Sequence, residues 1–282
     1  MRTPIRARRN TRPLTSACLI VALLLAASCS ARAEWEALGV GIDLGHFAVS
    51  HADSLKAEVL VLRADPQEWE LRVHCASESD RSSMTAREWC ERSGLVAATN
   101  AGMFDVDFNT HVGFLAVGDH VNSAAVNHYK SVAVFGPKRA GLPRFRIVDV
   151  EEPKQQVTAL CDDYENVVQN LRLIRRPGEN RWQQQRRTWS EAALGEDDEG
   201  RILFIFSRTP LTMHDFNEAL LGLEIGLVAA QHLEGGHEAQ LFVALTELEI
   251  GGSVATGFDT KRGARASLPI PNVIGLARRS KP

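Results

Sequence analysis

The chain has 282 residues, 44% hydrophobic and 24% charged, with a formal charge of −3. Its first 33 residues hold six arginines and no acid, so the remainder carries −9 and is too acidic to coat nucleic acid by bulk charge. About 249 residues follow Ala33 with no low-complexity tract, enough to bury a large core and to exclude a disordered or fibrous chain.

Five of the arginines precede an unbroken apolar run, ACLIVALLLAA at 17–27, which reads as a signal peptide. Its 11 residues fall short of the roughly 20 that span a bilayer, so no transmembrane helix is expected. Cleavage fits after Ala31-Arg32-Ala33; the alternative is lipoprotein processing that leaves Cys29 as a lipidated N-terminus. Residues 1–33 are therefore assigned to a leader and 34–282 to one exported domain, periplasmic or extracellular. Beyond the leader stand Cys75, Cys90 and Cys161. Either Cys75 and Cys90 close a disulfide across a strand and a helix, or all three are buried thiols.

Strand signals dominate the rest. Residues 57–63 and 69–75 are β-rich, the second strictly alternating, with Asp65-Pro66 as a turn between them. A short helix is expected over 85–92, then a buried strand at 95–99. Hairpins follow at 113–117, turning at Gly118-Asp119, and at 132–135, turning through Gly136-Pro137 towards 145–150. Residues 151–163 read as a connector. Segments 192–195 and 201–206 flank an acidic turn, and a helix capped by Thr212 is expected over 213–223. That helix feeds a strand at 227–233. The chain after Gly257 reads as loop until a last strand at 271–276. The fold class is mixed α+β, mostly antiparallel sheets with few helices.

Four groups could carry chemistry. In TNAGMFD, 99–105, a buried strand ends in Asn100, Gly102 and Asp105, which could orient a substrate or satisfy a turn. The run 172–187 holds six arginines, Arg172 and Arg187 at its ends, against the single acid Glu179; guanidinium forks match phosphate or carboxylate oxygens, although a solvated hairpin has the same composition. Glu191 stands at a strand entrance. In AAQHLEGGHEAQLFV, 229–243, Glu234 and Glu238 could act as acid and base beside Gly235, Gly236 and His237. His232, Glu234 and His237 also raise a divalent metal, but their spacing is not that of a zinc helix. No cofactor is otherwise signalled.

Taken in order, NAGMFD, VGFLAVGDHV, VVQNLRLI, SEAALGEDDEGRILFIFS and AAQHLEGGHEAQLF resemble the phosphodiester glycosidase family over roughly residues 59–276. The resemblance implies the α+β fold and cleavage of a sugar from a sugar phosphodiester, with a glycan or sugar phosphate as partner. Asn100, Gly102, Asp105, Gly235 and Gly236 match the family pattern, and Glu234 replaces its aspartate. His237 and Glu238 stand where relatives have glycine and serine, and Asn170-Leu171-Arg172 where they have serine-glycine-proline. Glu191 stands where they have arginine, a reversal of charge. The implied function is an exported glycosidase with Glu234, Glu238, Asp105 and Glu191 as catalytic candidates; the alternative is a glycan-binding protein that kept the scaffold without the chemistry.

Overall fold

The computed structural model describes residues 34–51, 55–80, 82–251 and 267–280. The leader, its cleavage site, Cys29 and most of the loop expected after Gly257 lie outside the described residues.

Three antiparallel sheets surround one apolar core. The largest has eight strands in the order Glu34–Gly39, Ile42–His51, Leu55–Ala64, Ile202–Leu211, Trp189–Asp197, Leu227–Gly235, Arg172–Arg175 and Glu179–Asn180. Its central strands are apolar on both faces, which explains their unbroken hydrophobic runs. Leu60 and Leu62 with Phe204 and Phe206 face the central core, while Val59 and Val61 with Leu203 and Ile205 face a second cluster under the helix Met213–Leu221. A five-stranded sheet, His120–Ser123, Leu115–Val117, Tyr164–Asn170, Ser131–Pro137 and Phe145–Asp149, closes the core with Leu115, Phe135, Ile147 and Val168. The other, Leu248–Gly251, Gln240–Val243, Ala97–Asn100, Asn272–Arg278 and Trp69–Cys75, adds Leu241, Ile274 and Leu276. Along Trp69–Cys75 the expected alternation holds: Trp69, Leu71, Val73 and Cys75 are buried, and Glu70, Arg72 and His74 are less so.

The helices form where side chains satisfy their first backbone N–H groups. In Ala86–Ser93, Thr85 accepts from the Glu88 amide while Glu88 accepts from the Thr85 amide, and Gly94 ends the helix with φ of 64°. In Met213–Leu221, Thr212 Oγ1 accepts from the Asp215 amide at 3.0 Å, and Phe216 and Leu220 fill the second cluster. The connector at 151–163 contains one short turn of helix, Pro153–Gln156, and a tighter turn, Thr158–Asp162. The hairpin Glu34–Gly39 to Ile42–His51 is an addition to the elements expected from sequence. No helix among the described residues is long and apolar enough to cross a membrane.

The three cysteines are free thiols, so the Cys75–Cys90 disulfide is not formed. Cys75 packs into the central core, and Cys90 packs on the other side of that sheet with Ala98, Phe242 and Ala277, leaving the sheet between the two sulfurs. Burial raises both thiols well above their ordinary pKa, which makes them poor nucleophiles. A thiol-reactive dye should therefore label neither Cys75 nor Cys90 in the folded protein, and both only after denaturation. Thermal stability should be the same with and without reductant.

Candidate active site

The strand Leu227–Gly235 runs between Trp189–Asp197 and Arg172–Arg175, pairing Ala193 with His232, Ala192 with Glu234 and Glu191 with Gly235. One extra residue, Leu233, is set between the first two pairs and points into the central core. His232 and Glu234 both line a cavity of about 430 Å³ at this end of the sheet. Tyr129, Trp182 and Trp189 give it aromatic walls, and Met103, Leu171 and Met213 complete the apolar lining. Such a surface suits the apolar face of a sugar ring. The Gly235-Gly236 backbone closes one side. A Cβ on Gly235 would lie 2.6 Å from Trp189 Cδ1, so only glycine lets the indole approach.

Behind this wall lies a buried ion pair. Glu191 is 2% exposed; its Oε1 pairs with His232 Nδ1, and its Oε2 accepts from Trp189 Nε1 at 2.8 Å. Burial alone would strip His232 of its proton, but the charge and hydrogen bond of Glu191, with the charge of Glu234, outweigh it and raise the imidazole above its ordinary value. His232 Nε2 has no hydrogen-bond partner among the described residues. Among the described residues Glu234 has no Lys or Arg partner in an ion pair. Burial pushes its carboxyl up to about 7, the charges of Glu238 and Glu191 add to that, and His232 and the Gly235 amide oppose it. Tyr129 is raised as well, first by burial and then by the Glu234 charge, which places the phenol beside the carboxylate.

The structure thus gathers Glu191, Glu234, Gly235 and Gly236 at one place, with His237 and Glu238 on the turn Gly236–Glu238 just beyond. Neither His237 nor Glu238 lines the cavity, although the charge of Glu238 reaches Glu234. The other candidates are held elsewhere. Asn100 is fully buried; its Nδ2 donates to the Glu238 carbonyl at 2.9 Å and its Oδ1 accepts from the Gln240 amide at 2.8 Å, pinning that turn to the neighbouring sheet. Gly102 is packed against His111 and Asn170, whose atoms lie 2.2 and 2.3 Å from where a Cβ would stand. Asp105 is exposed on a loop, accepting from the Val106 amide at 2.7 Å. Arg172 is held by Asp149 at 3.1 Å and Glu151 at 3.2 Å, and Arg176 by buried Glu196 at 2.5 Å. These arginines balance buried or nearby carboxylates, so most of the basic run is internal charge neutralisation. Arg187 and its neighbour Arg186 differ: they are exposed, without an ion-pair partner among the described residues, on the segment joining Trp182 to Trp189.

The aromatic walls, Tyr129, Trp182 and Trp189, and the role of His232 as partner to Glu191 were missed by the sequence reading. Trp182 and Trp189 bracket Arg186 and Arg187, and that bracketing was the available signal. Among the described residues no three His, Cys, Asp or Glu side chains converge to hold a metal ion.

The raised Glu234 carboxyl has a consequence for stability. Its pKa in the fold, about 7, exceeds the ordinary 4.5, so the native state binds the proton more tightly than the unfolded chain, and stability from this group is lost as pH rises from 4.5 through 7. Glu234→Gln should therefore raise Tm at pH 8 by a few degrees, 1 kcal/mol being about 2–4 °C at this size. It should leave Tm nearly unchanged at pH 4, as thermal melts at the two pH values would show.

Comparison with known proteins agrees with this architecture. The catalytic domain of zebrafish N-acetylglucosamine-1-phosphodiester alpha-N-acetylglucosaminidase, in a form auto-inhibited by its pro-peptide, superposes with a TM-score of 0.63 at 12% identity, over 89% of this chain and 85% of that one. A hypothetical protein from Synechocystis superposes with a TM-score of 0.56 at 13% identity, over 88% of this chain and 64% of that one. At such identities the likeness speaks to fold alone. No curated protein sequence matches significantly. The sequence model of phosphodiester glycosidases matches residues 93–277, about two-thirds of the chain and including every residue of the cavity, and this protein therefore belongs to the phosphodiester glycosidase family.

Proposed function

We propose that this protein is an exported hydrolase that releases a sugar from a sugar phosphodiester, with Glu234 as the carboxylate that moves the proton of water. The observation that carries this reading is Glu234 itself, a carboxyl raised to about 7 in an aromatic-walled cavity sized for a sugar. A base poised near neutral pH is most effective there. The leaving group needs less help: a phosphomonoester has a second pKa of about 6, whereas bulk water has one of about 15.7. Glu234 takes a proton from water, the water oxygen bonds to the anomeric carbon, and the anomeric C–O bond breaks with its electron pair remaining on the phosphate oxygen. The zebrafish structural relative, named for its action on an N-acetylglucosamine-1-phosphodiester, supports this substrate class. Arg186 and Arg187, exposed on the segment that joins the cavity residues Trp182 and Trp189, are the cations that meet the phosphodiester charge. The leader expected over residues 1–33, with its apolar run at 17–27, supports export.

The test is a screen of the purified protein against sugar-1-phosphodiesters, with and without divalent metals. Glu234→Gln should lose about 10²-fold or more in kcat, and wild-type kcat/KM should rise with pH through about 7 as Glu234 ionises. Full turnover by the Gln variant would remove Glu234 from this role. Substituting Arg186 and Arg187 together by Gln should raise KM several-fold with kcat held, and should flatten the salt dependence of kcat/KM. A second reading, glycan binding without turnover, is favoured by the absence of any Lys or Arg from the cavity lining among the described residues. It predicts saturable binding of the same ligands and no product on long incubation.

A further inference from the structure

We infer that His232, held by Glu191, is the second proton-transfer group of this site, with its Nε2–H facing the phosphate oxygen of the leaving group. This rests on the reading of Glu234 above and concerns a residue on the same strand.

The geometry decides which group touches substrate. Both oxygens of Glu191 are committed, Oε1 to His232 Nδ1 and Oε2 to Trp189 Nε1 at 2.8 Å, and the side chain is buried. Glu191 is therefore a positioning residue. It fixes a proton on Nδ1 and leaves Nε2 as the ring nitrogen with no partner among the described residues, on a ring that lines the cavity. A histidine oriented from behind by a buried carboxylate is the base half of many hydrolytic sites, reached here on an unrelated scaffold. The charged groups around it are few. Glu191 faces it from one flanking strand, and Glu234 lies two residues along its own, with Glu238 beyond and the Tyr129 side chain lining the same cavity. On the other flanking strand Arg172 is taken up by Asp149 and Glu151. These surroundings favour the imidazolium, as burial by itself would not.

The step balances within the site. As the anomeric C–O bond breaks, its electron pair goes to the phosphate oxygen, which receives the proton from His232 Nε2, while Glu234 takes one proton from the attacking water. His232 ends neutral and Glu234 protonated. Release of the Glu234 proton to solvent and uptake of one by His232 restore the pair. The active form holds one proton across the two residues, so the apparent pKa values of the rate profile belong to the pair.

The experiment uses the full protein on the phosphodiester selected by the screen. Wild-type kcat should follow a bell, with an alkaline limb set by loss of the His232 proton. Glu191→Gln removes the charge that holds that proton, so the alkaline limb should move to lower pH, and Glu191→Asp should restore it in part. His232→Gln should lose about 10²–10⁴-fold in kcat with KM little changed, and its alkaline limb should vanish. Because either single change leaves half of a buried pair, Glu191→Gln with His232→Gln provides a neutral pair as the folding control. A His232→Gln variant with wild-type kcat and an unmoved alkaline limb, on a substrate that Glu234→Gln cannot turn over, would overturn the role of His232 and leave that of Glu234 standing. Independently of turnover, nitrogen-15 NMR of the imidazole should show Nδ1 protonated throughout the titration and Nε2 titrating, with a lower midpoint in Glu191→Gln. A bare Nδ1 with the proton on Nε2 would equally overturn the proposal.

Discussion

The site depends on the double-sided burial of the large sheet. Its central strands carry apolar side chains on both faces, so an ionisable group there needs either a charged partner or a place where the second cluster ends. The strand Leu227–Gly235 meets that condition: Ala229 and Ala230 lie in the core clusters, Leu233 still points inward, and His232 and Glu234 emerge at the cavity. Antiparallel pairing with Trp189–Asp197, its register shifted by the extra residue Leu233, then sets Glu191 beside His232. A slip of one residue in that register would turn the pair to opposite faces.

Charge neutralisation settles the roles of the remaining ionisable residues. Buried carboxylates need partners, and most have them: Glu191 has His232, Glu196 has Arg176 and Arg146, and Asp197 has Arg201 at 2.6 Å. This demand consumes much of the basic run. Glu234 is the cavity carboxyl left without a dedicated cation, so burial acts on it and its proton becomes available near neutral pH. The same demand explains why Glu191 is tolerated where the resemblance to the family leads one to expect arginine: its charge is met by an imidazole on the adjacent strand.

Much of the fold was legible because it rests on local signals. The alternation of Trp69–Cys75, the Thr85 and Thr212 caps and the apolar runs on either side of the acidic turn near Asp197 report which surfaces need covering. The hairpin Glu34–Gly39 to Ile42–His51 lacked so clear a signal, since its alternation is interrupted by Gly45 and by a bulge near Gly39. Of the site, the double glycine and its glutamates were visible as a break in an apolar strand. Asn100 was visible as a motif, but its use was not: the same amide could bind a sugar or, as here, fasten the Gly236–Glu238 turn.

The sequence by itself determined most of the strands and both capped helices, that the chain is family-like from its ordered motifs, and where ionisable residues interrupt an apolar strand. Those are properties of periodicity, capping and composition, read over a few neighbouring residues. Tertiary structure alone decided that Trp182, Trp189 and Tyr129 wall one cavity and that Glu191 faces His232 across 41 positions of chain. It also decided that Arg172 is spent on Asp149 and Glu151 while Arg186 and Arg187 are exposed, without an ion-pair partner among the described residues. The reason is physical: a side chain's pKa, partners and exposure depend on what other strands bring within a few ångströms, and no local pattern encodes that distance.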